Sequence, residues 1–245
     1  MIIDSHVHIG RTEKSDRSFD CFSYKKLMKK VGINKSIIMP NISSIDTAYN
    51  LNDKLLHDYN KFKDENIFYP FLLVDPNRVD TLNQCDAFSK YIYGVKYHPS
   101  IFRVVCDHPS MDLIYKYLER TNKPIIIHCG RDGKSNINYI ILAAKKNPNV
   151  NFIAAHLGGN TTDLIELAIK RLYEEKLNNI YLDTSAGKLP WLIEQAVSKL
   201  GSDKIIFGSD EPYADLRIGK YCVELSNIKG KSLIYSGNIK KLLGI

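Results

Sequence analysis

The chain opens with the sequence Met1-Ile-Ile-Asp-Ser-His-Val-His-Ile-Gly10, an apolar run that contains two histidines two positions apart. Residues two apart on a β-strand face the same side, so a strand here directs His6 and His8 at one point. A metal ion is bound by imidazole nitrogens that converge in this way. The run therefore predicts a first strand that ends in part of a metal site.

Three later apolar runs also end in a side chain that can bind a metal. They are Ile125-Ile-Ile-His128, Phe152-Ile-Ala-Ala-His156 and Ile205-Ile-Phe-Gly-Ser-Asp210. If all four runs are parallel strands of one sheet, their carboxyl ends lie at the same edge. Four such strand ends in order are a much more specific indication of a metal site than the first His-x-His pair alone.

Apolar, β-branched runs alternate with segments of helical spacing along the whole chain. The runs cover residues 2–8, 36–40, 67–74, 92–97, 124–128, 152–156, 180–183 and 205–209. Eight alternations predict a (β/α)8 barrel, and a barrel of about 250 residues fits residues 1–245 as one domain. A doubly wound open sheet is the alternative. The barrel is favoured because strand eight then pairs with strand one, which gathers the metal-type residues around one mouth.

The predicted metal ligands are His6, His8, His128 and Asp210. Imidazole nitrogens with one carboxylate suit zinc first, and Mn²⁺ or Fe²⁺ as alternatives. Such an ion lowers the pKa of a bound water toward neutrality, and Asp210 can accept the proton. His156 is then predicted to be catalytic by contacting the water or substrate and steadying a developing oxyanion, or else to serve a second metal.

Three further residues are predicted to contact substrate. Lys96 and His98 have the same parity in Gly94-Val-Lys-Tyr-His98 and should both face the mouth. Lys96 has a second interpretation, as a carbamylated bridge between two metals, and His98 as a packing residue. Arg131 follows the fifth strand, where it either meets an anionic substrate or is a solvated loop residue. For Glu211, a surface or loop-pairing role is expected.

Composition narrows the class of protein. The formal charge of +7 is spread over lysine-rich helices, which indicates solvated helix faces rather than a nucleic-acid-binding patch. The five cysteines form no C-x-x-C pair, which favours free thiols in a reducing compartment. With no membrane-spanning run or secretory signal apparent, a cytoplasmic protein with a small-molecule substrate is expected, and a homodimer is compatible with the sequence.

The ordered motifs resemble the amidohydrolase superfamily, and more narrowly the group that includes aminocarboxymuconate-semialdehyde decarboxylase. The similar segments include residues 3–8, 94–99, 123–130, 155–159, 181–185 and 205–210. The resemblance implies that His6, His8, His128 and Asp210 bind metal and that His156 works on the water or substrate. TatD-type nucleases share the first His pair but have an acidic residue in the fourth strand, where this chain has Val95-Lys-Tyr-His98.

Members of the superfamily either hydrolyse amides, esters or lactones, or remove carboxylates without oxidation. From the sequence, we expect metal-dependent hydrolysis of a C–N or C–O bond in a small, anionic substrate. Non-oxidative decarboxylation is the alternative, because it uses the same metal, water and acid–base group. A non-enzymatic nucleic-acid-binding protein is a third hypothesis, which rests on the positive charge alone.

Overall fold

The apolar runs form eight parallel strands, ordered β1 to β8 around a nearly closed barrel in the computed structural model, which describes residues 1–11, 18–42, 46–186 and 189–245. The strands are β1 Ile3–Ile9, β2 Lys35–Pro40, β3 Phe68–Leu73, β4 Gly94–Tyr97, β5 Ile125–Ile127, β6 Phe152–Ala154, β7 Ile180–Asp183 and β8 Ile205–Ile206. Each strand pairs with the next in the sequence. The predicted single (β/α)8 barrel is confirmed.

Hydrogen bonds from the segment after β8 close the barrel against β1. Ser5 N–H donates to the Phe207 carbonyl at 2.9 Å, Asp210 N–H to the His6 carbonyl at 2.8 Å, and His8 N–H to the Glu211 carbonyl at 2.8 Å. Strand β8 is shorter than the predicted run because only Ile205 and Ile206 pair with β7. The chain beyond it nevertheless stays beside β1, as the prediction of closure requires.

Helices separate the strands and cover the outside of the barrel. They are α1 Cys21–Val31, α2 Ala48–Tyr59, α3 Val79–Ala87, α4 Pro99–Phe102, α5 Asp112–Thr121, α6 Ile137–Lys146, α7 Thr162–Glu175, α8 Pro190–Leu200, α9 Leu216–Leu225 and α10 Asn238–Leu243. The expected amphipathic spacing is present, since α5 buries Ile114, Tyr115 and Leu118 and exposes Leu113. None of the described helices is both long and apolar enough to cross a membrane.

Alternate residues of the strands divide the core into two parts. Side chains such as Ile3, Phe71, Ile126 and Ile206 form a cluster of their own, separate from the larger cluster that joins strands to helices. This division is typical of a barrel, whose interior is packed with branched side chains rather than open. The barrel is therefore rigid below the strand ends, where the chemistry-bearing residues lie.

A buried asparagine ties two helices to the barrel wall. Asn52 of α2 accepts a hydrogen bond from Leu73 N–H at 2.7 Å and donates to the Leu73 carbonyl at 2.9 Å. Its amide also donates to Gln84 of α3 at 2.8 Å. A fully buried amide with every partner satisfied fixes the position of these elements, since leaving such a group unpaired costs about 1–3 kcal/mol.

Candidate metal centre and active site

Three buried side chains converge at the carboxyl end of the barrel. Nε2 of His6 lies 3.2 Å from Nε2 of His8, and Oδ1 of Asp210 lies 3.5 Å and 3.3 Å from these two atoms. The two histidines are on one face of β1, as the sequence predicts, and Asp210 comes from the segment that closes the barrel. We call these three residues the ligand triangle.

The spacing of the ligand triangle fits a divalent transition metal. Ligand atoms about 2.1 Å from a tetrahedral ion lie about 3.4 Å from one another, which matches the three separations found here. Nδ1 of His8 is 3.3 Å from the Pro40 carbonyl, to which it can only donate, so the Nε2 lone pair of neutral His8 is directed into the triangle. His6, His8 and Asp210 therefore have the chemistry and the geometry to hold an ion.

The segment that carries Asp210 is held against β1 by the buried carboxylate of Asp4. Asp4 accepts hydrogen bonds from the backbone N–H of Ser209 at 2.9 Å and from its hydroxyl at 2.6 Å, as well as from Tyr24 at 3.1 Å. Burial raises the pKa of Asp4 to about 7, although these hydrogen bonds act in the opposite direction. Asp4 thus joins the end of β8 to β1 immediately beside the ligand triangle.

Close backbone packing at the same place requires a glycine. A Cβ on Gly208 would lie 2.9 Å from Cβ of His6, nearer than such atoms approach. Asp210 itself has a left-handed backbone (φ 71°), which is unfavourable for a residue with a Cβ by roughly 1–2 kcal/mol. The surrounding hydrogen bonds hold Asp210 in this conformation, as is common where a side chain must be aimed at a functional site.

His128 and His156 face each other at the ends of β5 and β6. Nδ1 of His128 lies 3.1 Å from Nε2 of His156, and the ring of His156 stacks on His6 with centroids 5.3 Å apart. Like Asp210, His156 has a left-handed backbone, with φ 59°. His128 is not part of the ligand triangle. It contacts His156, which in turn stacks on His6 of the triangle. Its predicted ligand role therefore stays a prediction.

His98 stacks on the other side of His128. Their rings are parallel within 12°, with centroids 3.9 Å apart, and no described residue pairs with the buried Nδ1 of His98. Burial, and then the nearby positive charge of Lys96, lowers the pKa of His98 to about 3. The packing role predicted for His98 agrees with the stacked ring. Its predicted substrate contact agrees with the unpaired nitrogen.

Lys96 is the charged side chain nearest to the ligand triangle on β4. It is only 1% exposed, and its Nζ lies 3.1 Å from Nε2 of His6. Burial lowers the pKa of Lys96 to about 8, partly offset by the charges of Asp183 and Asp210. An ammonium in this position attracts anions to the mouth of the barrel.

Burial favours the neutral forms of His6 and His128, while Asp210 stays charged. The pKa of His6 falls to about 4 through burial and the charge of Lys96, and that of His128 also falls well below its usual value, chiefly through burial. Burial alone would raise the pKa of Asp210, but its interactions with His156 and His8 hold that pKa far below its ordinary value. Neutral imidazoles beside an ionised carboxylate are the protonation states that a metal ion requires.

Asp183 is the functional residue that was not identified from the sequence. It ends β7, its Oδ2 lies 2.8 Å from Nδ1 of His6, and its Oδ1 accepts from the backbone N–H of His156 at 2.9 Å. Burial would raise its pKa, but the charge and hydrogen bond of His6 lower it to about 2. The signal was available, because the run at residues 180–183 ends in a metal-capable side chain as the other four do.

Among the described residues, one other group of ligand-type atoms is close enough for a metal, formed by His6, His156 and Asp183. Oδ1 of Asp183 already accepts hydrogen bonds from His156 N–H, Ser185 N–H and the Ser185 hydroxyl, and its Oδ2 faces Nδ1 of His6. This set is a saturated hydrogen-bond network. The ligand triangle is the better candidate for a metal.

Two predictions for residues near the mouth need comment. Arg131 is exposed and lies outside the buried cluster, so its substrate contact stays a prediction. Glu211 was expected at the surface or in loop pairing, but it is completely buried and its carboxylate accepts from Leu216 N–H at 2.8 Å. The surface expectation is wrong, because the closing segment carries Glu211 inward to the start of α9, whereas the loop-pairing role agrees with this contact.

Comparisons with known proteins agree with this geometry. A family model described as Amidohydrolase matches residues 45–245. A comparison with curated protein sequences finds no match.

Several solved structures share the complete fold. The 5-carboxyvanillate decarboxylase LigW from Sphingomonas paucimobilis is 12% identical with a TM-score of 0.78, and the match covers 100% of this chain and 99% of that one. A dihydroxybenzoic acid decarboxylase from Polaromonas with bound manganese is 15% identical with a TM-score of 0.80, over 99% and 96% of the two chains. An amidohydrolase from Burkholderia multivorans with bound zinc is 14% identical with a TM-score of 0.78, over 100% and 99%. At these identities the likeness concerns the fold alone.

Proposed function

Because the chain belongs to the amidohydrolase family, we propose that it is a metal-dependent enzyme that removes a carboxylate, without oxidation, from a small anionic substrate. The observation that carries this proposal is the buried ammonium of Lys96 beside the ligand triangle, in a barrel that matches decarboxylases over its full length. The sequence alone favours hydrolysis. The comparisons support the decarboxylase alternative better, and we adopt it as the first choice.

The proposed substrate is an aromatic or unsaturated carboxylic acid. The neighbouring decarboxylases act on a carboxyvanillate and on dihydroxybenzoates, which combine a carboxylate with ring oxygens. In this chain, Lys96 supplies a positive charge for such an anion, and Nδ1 of His98 is a buried nitrogen without a partner among the described residues. Charge attraction by Lys96 is strong because burial removes the screening effect of water.

His6, His8 and Asp210 are the proposed metal ligands, with His128 as the next candidate. A bound divalent ion would act as a Lewis acid that polarises a substrate oxygen and lowers the pKa of a water. Zinc and manganese both suit nitrogen and carboxylate ligands, and solved neighbours contain either one. We therefore propose a divalent transition metal and leave the choice between zinc and manganese to metal analysis.

Proton transfer is assigned to His156 and Asp210. When the carbon–carbon bond to the carboxylate breaks, its electron pair stays on the substrate carbon and CO₂ leaves. That carbon must then take a proton. Nε2 of His156, whose ring stacks on His6, and Oδ1 of Asp210, a member of the ligand triangle, are the groups proposed to take this proton from water and deliver it to the carbon.

Hydrolysis of a C–N or C–O bond is the second candidate, and the description of the matching family, Amidohydrolase, is compatible with it. In this reaction, Asp210 takes a proton from the attacking water and passes it to the leaving group. The burial and low pKa of Asp210 suit an ionised base rather than an acid in the resting protein. Both candidates use the same ligand triangle and differ in the bond that breaks.

Product analysis distinguishes the two reactions. Protein loaded with Mn²⁺ or Zn²⁺ is incubated with 5-carboxyvanillate, 2,6-dihydroxybenzoate, aryl lactones and aryl amides, and both CO₂ and acid release are measured. We expect CO₂ and the decarboxylated ring in equal amounts from at least one carboxylate, and none from the Asp210→Asn variant. Acid release from a lactone or amide without CO₂ from any carboxylate would contradict decarboxylation and favour hydrolysis.

A further inference from the structure

Ser185 has one hydroxyl hydrogen, and Asp183 receives it. The Ser185 hydroxyl makes a short contact with Oδ1 of Asp183, an oxygen that also accepts hydrogen bonds from the backbone N–H groups of His156 and Ser185. The hydroxyl therefore donates to Asp183. Every other hydrogen-bonding group around the Ser185 oxygen must donate to it.

One of these groups is the imidazole of His156. Its Nδ1 lies 2.9 Å from the Ser185 hydroxyl oxygen and 3.3 Å from the Ser185 carbonyl oxygen. Because both oxygens act as acceptors here, Nδ1 of His156 must hold a hydrogen. In a neutral ring, the lone pair is then on Nε2.

The imidazole of His6 is held in the same way. Its Nδ1 lies 2.8 Å from Oδ2 of Asp183 and 3.1 Å from the Ser185 oxygen, two acceptors again. His6, Asp183 and Ser185 are each completely buried, so water does not compete for these hydrogen bonds. Asp183 and Ser185, at the end of β7 and just after it, thus set the orientation of one histidine on β1 and one that follows β6.

We propose that Asp183 and Ser185 act as positioning residues that hold His6 and His156 in the Nδ1–H tautomer. In that tautomer the Nε2 lone pair of His6 is directed into the ligand triangle and that of His156 is directed toward Nδ1 of His128. The tautomers follow from the hydrogen-bond network alone, and their role in catalysis rests on the proposed function. Outer partners of this kind orient metal-binding histidines and make them better ligands.

The inference changes the role of His156. Neutral His156 offers an acceptor at Nε2, so it takes a proton from water or a substrate hydroxyl and cannot donate to an oxyanion until it has done so. The sequence-based prediction gave it the oxyanion-stabilising role, which needs Nε2–H in the resting state. Asp183 and Ser185 instead prepare His156 as a base or a ligand.

Nitrogen NMR tests the proposal directly in metal-free protein without substrate. Imidazole ¹⁵N shifts distinguish a protonated from an unprotonated ring nitrogen, and the variants His6→Gln and His156→Gln assign the two signals. We expect both rings of the wild-type protein to be protonated at Nδ1 and bare at Nε2. An Nε2–H tautomer for either neutral ring would overturn the proposal. The tautomers are measured on the wild-type protein, and the two Gln variants serve only to assign its signals.

Two variants then remove the positioning groups separately. Ser185→Ala removes an acceptor from Nδ1 of His156, so a mixture of the Nδ1–H and Nε2–H tautomers of His156 is expected. In Asp183→Asn the new amide can donate to Nδ1 of His6, which should shift His6 toward the Nε2–H tautomer. The control is Ser226→Ala, which removes another buried serine hydroxyl. Ser226 donates to the Cys222 carbonyl and not to His6 or His156, so both tautomers should stay unchanged. Unchanged tautomers in both site variants would overturn the proposal.

Metal titration supplies a separate measurement. Asp183→Asn should weaken Mn²⁺ binding by about 10–100-fold, as expected for loss of an outer partner, while Ser226→Ala binds like wild type. Unaltered Mn²⁺ affinity in Asp183→Asn would contradict a positioning role toward the metal. Absence of CO₂ release with the expected tautomers would instead reject the proposed reaction and leave the role of Asp183 and Ser185 in place.

Discussion

Nζ of Lys96 lies 3.1 Å from Nε2 of His6, the same nitrogen that faces His8 and Asp210. A cation of the protein therefore borders the position proposed for a metal cation. Like charges at this distance repel strongly where water is absent. Lys96 therefore has two possible roles. As an ammonium it weakens metal binding by charge repulsion, whereas after reaction with CO₂ its carbamate is a metal ligand.

Replacing Lys96 distinguishes these solutions. If Lys96 stays an amine, Lys96→Met removes a competing charge and should tighten Mn²⁺ binding at pH 7 about tenfold, equivalent to about 1.4 kcal/mol. Isothermal titration of metal-free protein measures the change. Lys123→Met is the control, because Lys123 is a half-buried lysine whose Nζ donates to the Ile92 carbonyl away from the ligand triangle. Weaker binding in Lys96→Met, with carbamate mass on the wild-type chain, would show that Lys96 is a ligand.

Loss of a triangle residue should abolish stoichiometric metal binding. In His6→Ala and Asp210→Asn, we expect the affinity for Zn²⁺ or Mn²⁺ to fall by more than about 100-fold, since even outer partners account for 10–100-fold. Metal content after dialysis measures this effect. His108→Ala and Asp64→Asn change exposed residues of the same types and should retain the metal. Full metal content in both triangle variants would refute the assignment.

Acid should destabilise the metal-free protein below about pH 6.5. His6 and His98 have folded pKa values of about 4 and 3, below the usual 6.5, so the unfolded chain binds protons first as the pH falls. The free energy of unfolding should therefore decrease from pH 6.5 toward pH 4, with a slope of about 1.4 kcal/mol per pH unit for each such histidine.

Urea unfolding at several pH values measures this slope. His98→Phe keeps a ring stacked on His128 but cannot be protonated, so it should lower the slope between pH 6 and 4 by up to about 1.4 kcal/mol per pH unit. His57→Gln, at an exposed position of α2, serves as the control. An identical slope in wild type and His98→Phe would contradict a buried neutral His98.

The net charge of +7 should not produce nucleic-acid binding. Several helix lysines pair with acids, including Lys25 with Glu65, Lys54 with Asp46 and Lys145 with Glu175. In fluorescence anisotropy at 0.15 M salt, we expect no binding of random duplex DNA tighter than about 10⁻⁴ M, the weak end of non-specific affinity. Tight, salt-dependent binding without turnover of any small acid would support the nucleic-acid hypothesis instead.

The barrel could be predicted because each strand run is apolar and β-branched and ends at a recognisable loop. The convergence of His6, His8 and Asp210 could be predicted from parity and from the closure of strand eight on strand one. Both arguments use regular backbone geometry, which sequence periodicity reports well.

The contacts of His128, Glu211 and Asp183 could not be obtained in this way. His128 follows the last residue of β5, so strand parity no longer determines its direction, and it faces His156 instead of joining the ligand triangle. Glu211 lies beyond β8, where the hydrogen bonds to β1 carry it inward. The sequence pattern places Asp183 at the end of a strand run, but its contacts with His6 and Ser185 are tertiary and cannot be read from periodicity.

Closure of the barrel by the segment after β8 has a consequence for biosynthesis. Asp210 is translated about 200 residues after His6 and His8, so at 5–20 residues per second the ligand triangle stays incomplete for about 10–40 s. Asp4 cannot contact Ser209 until the same moment. Tight binding of an ion is therefore postponed until β8 and the segment after it have been synthesised and have packed against β1, which makes a bound metal a marker of a closed barrel.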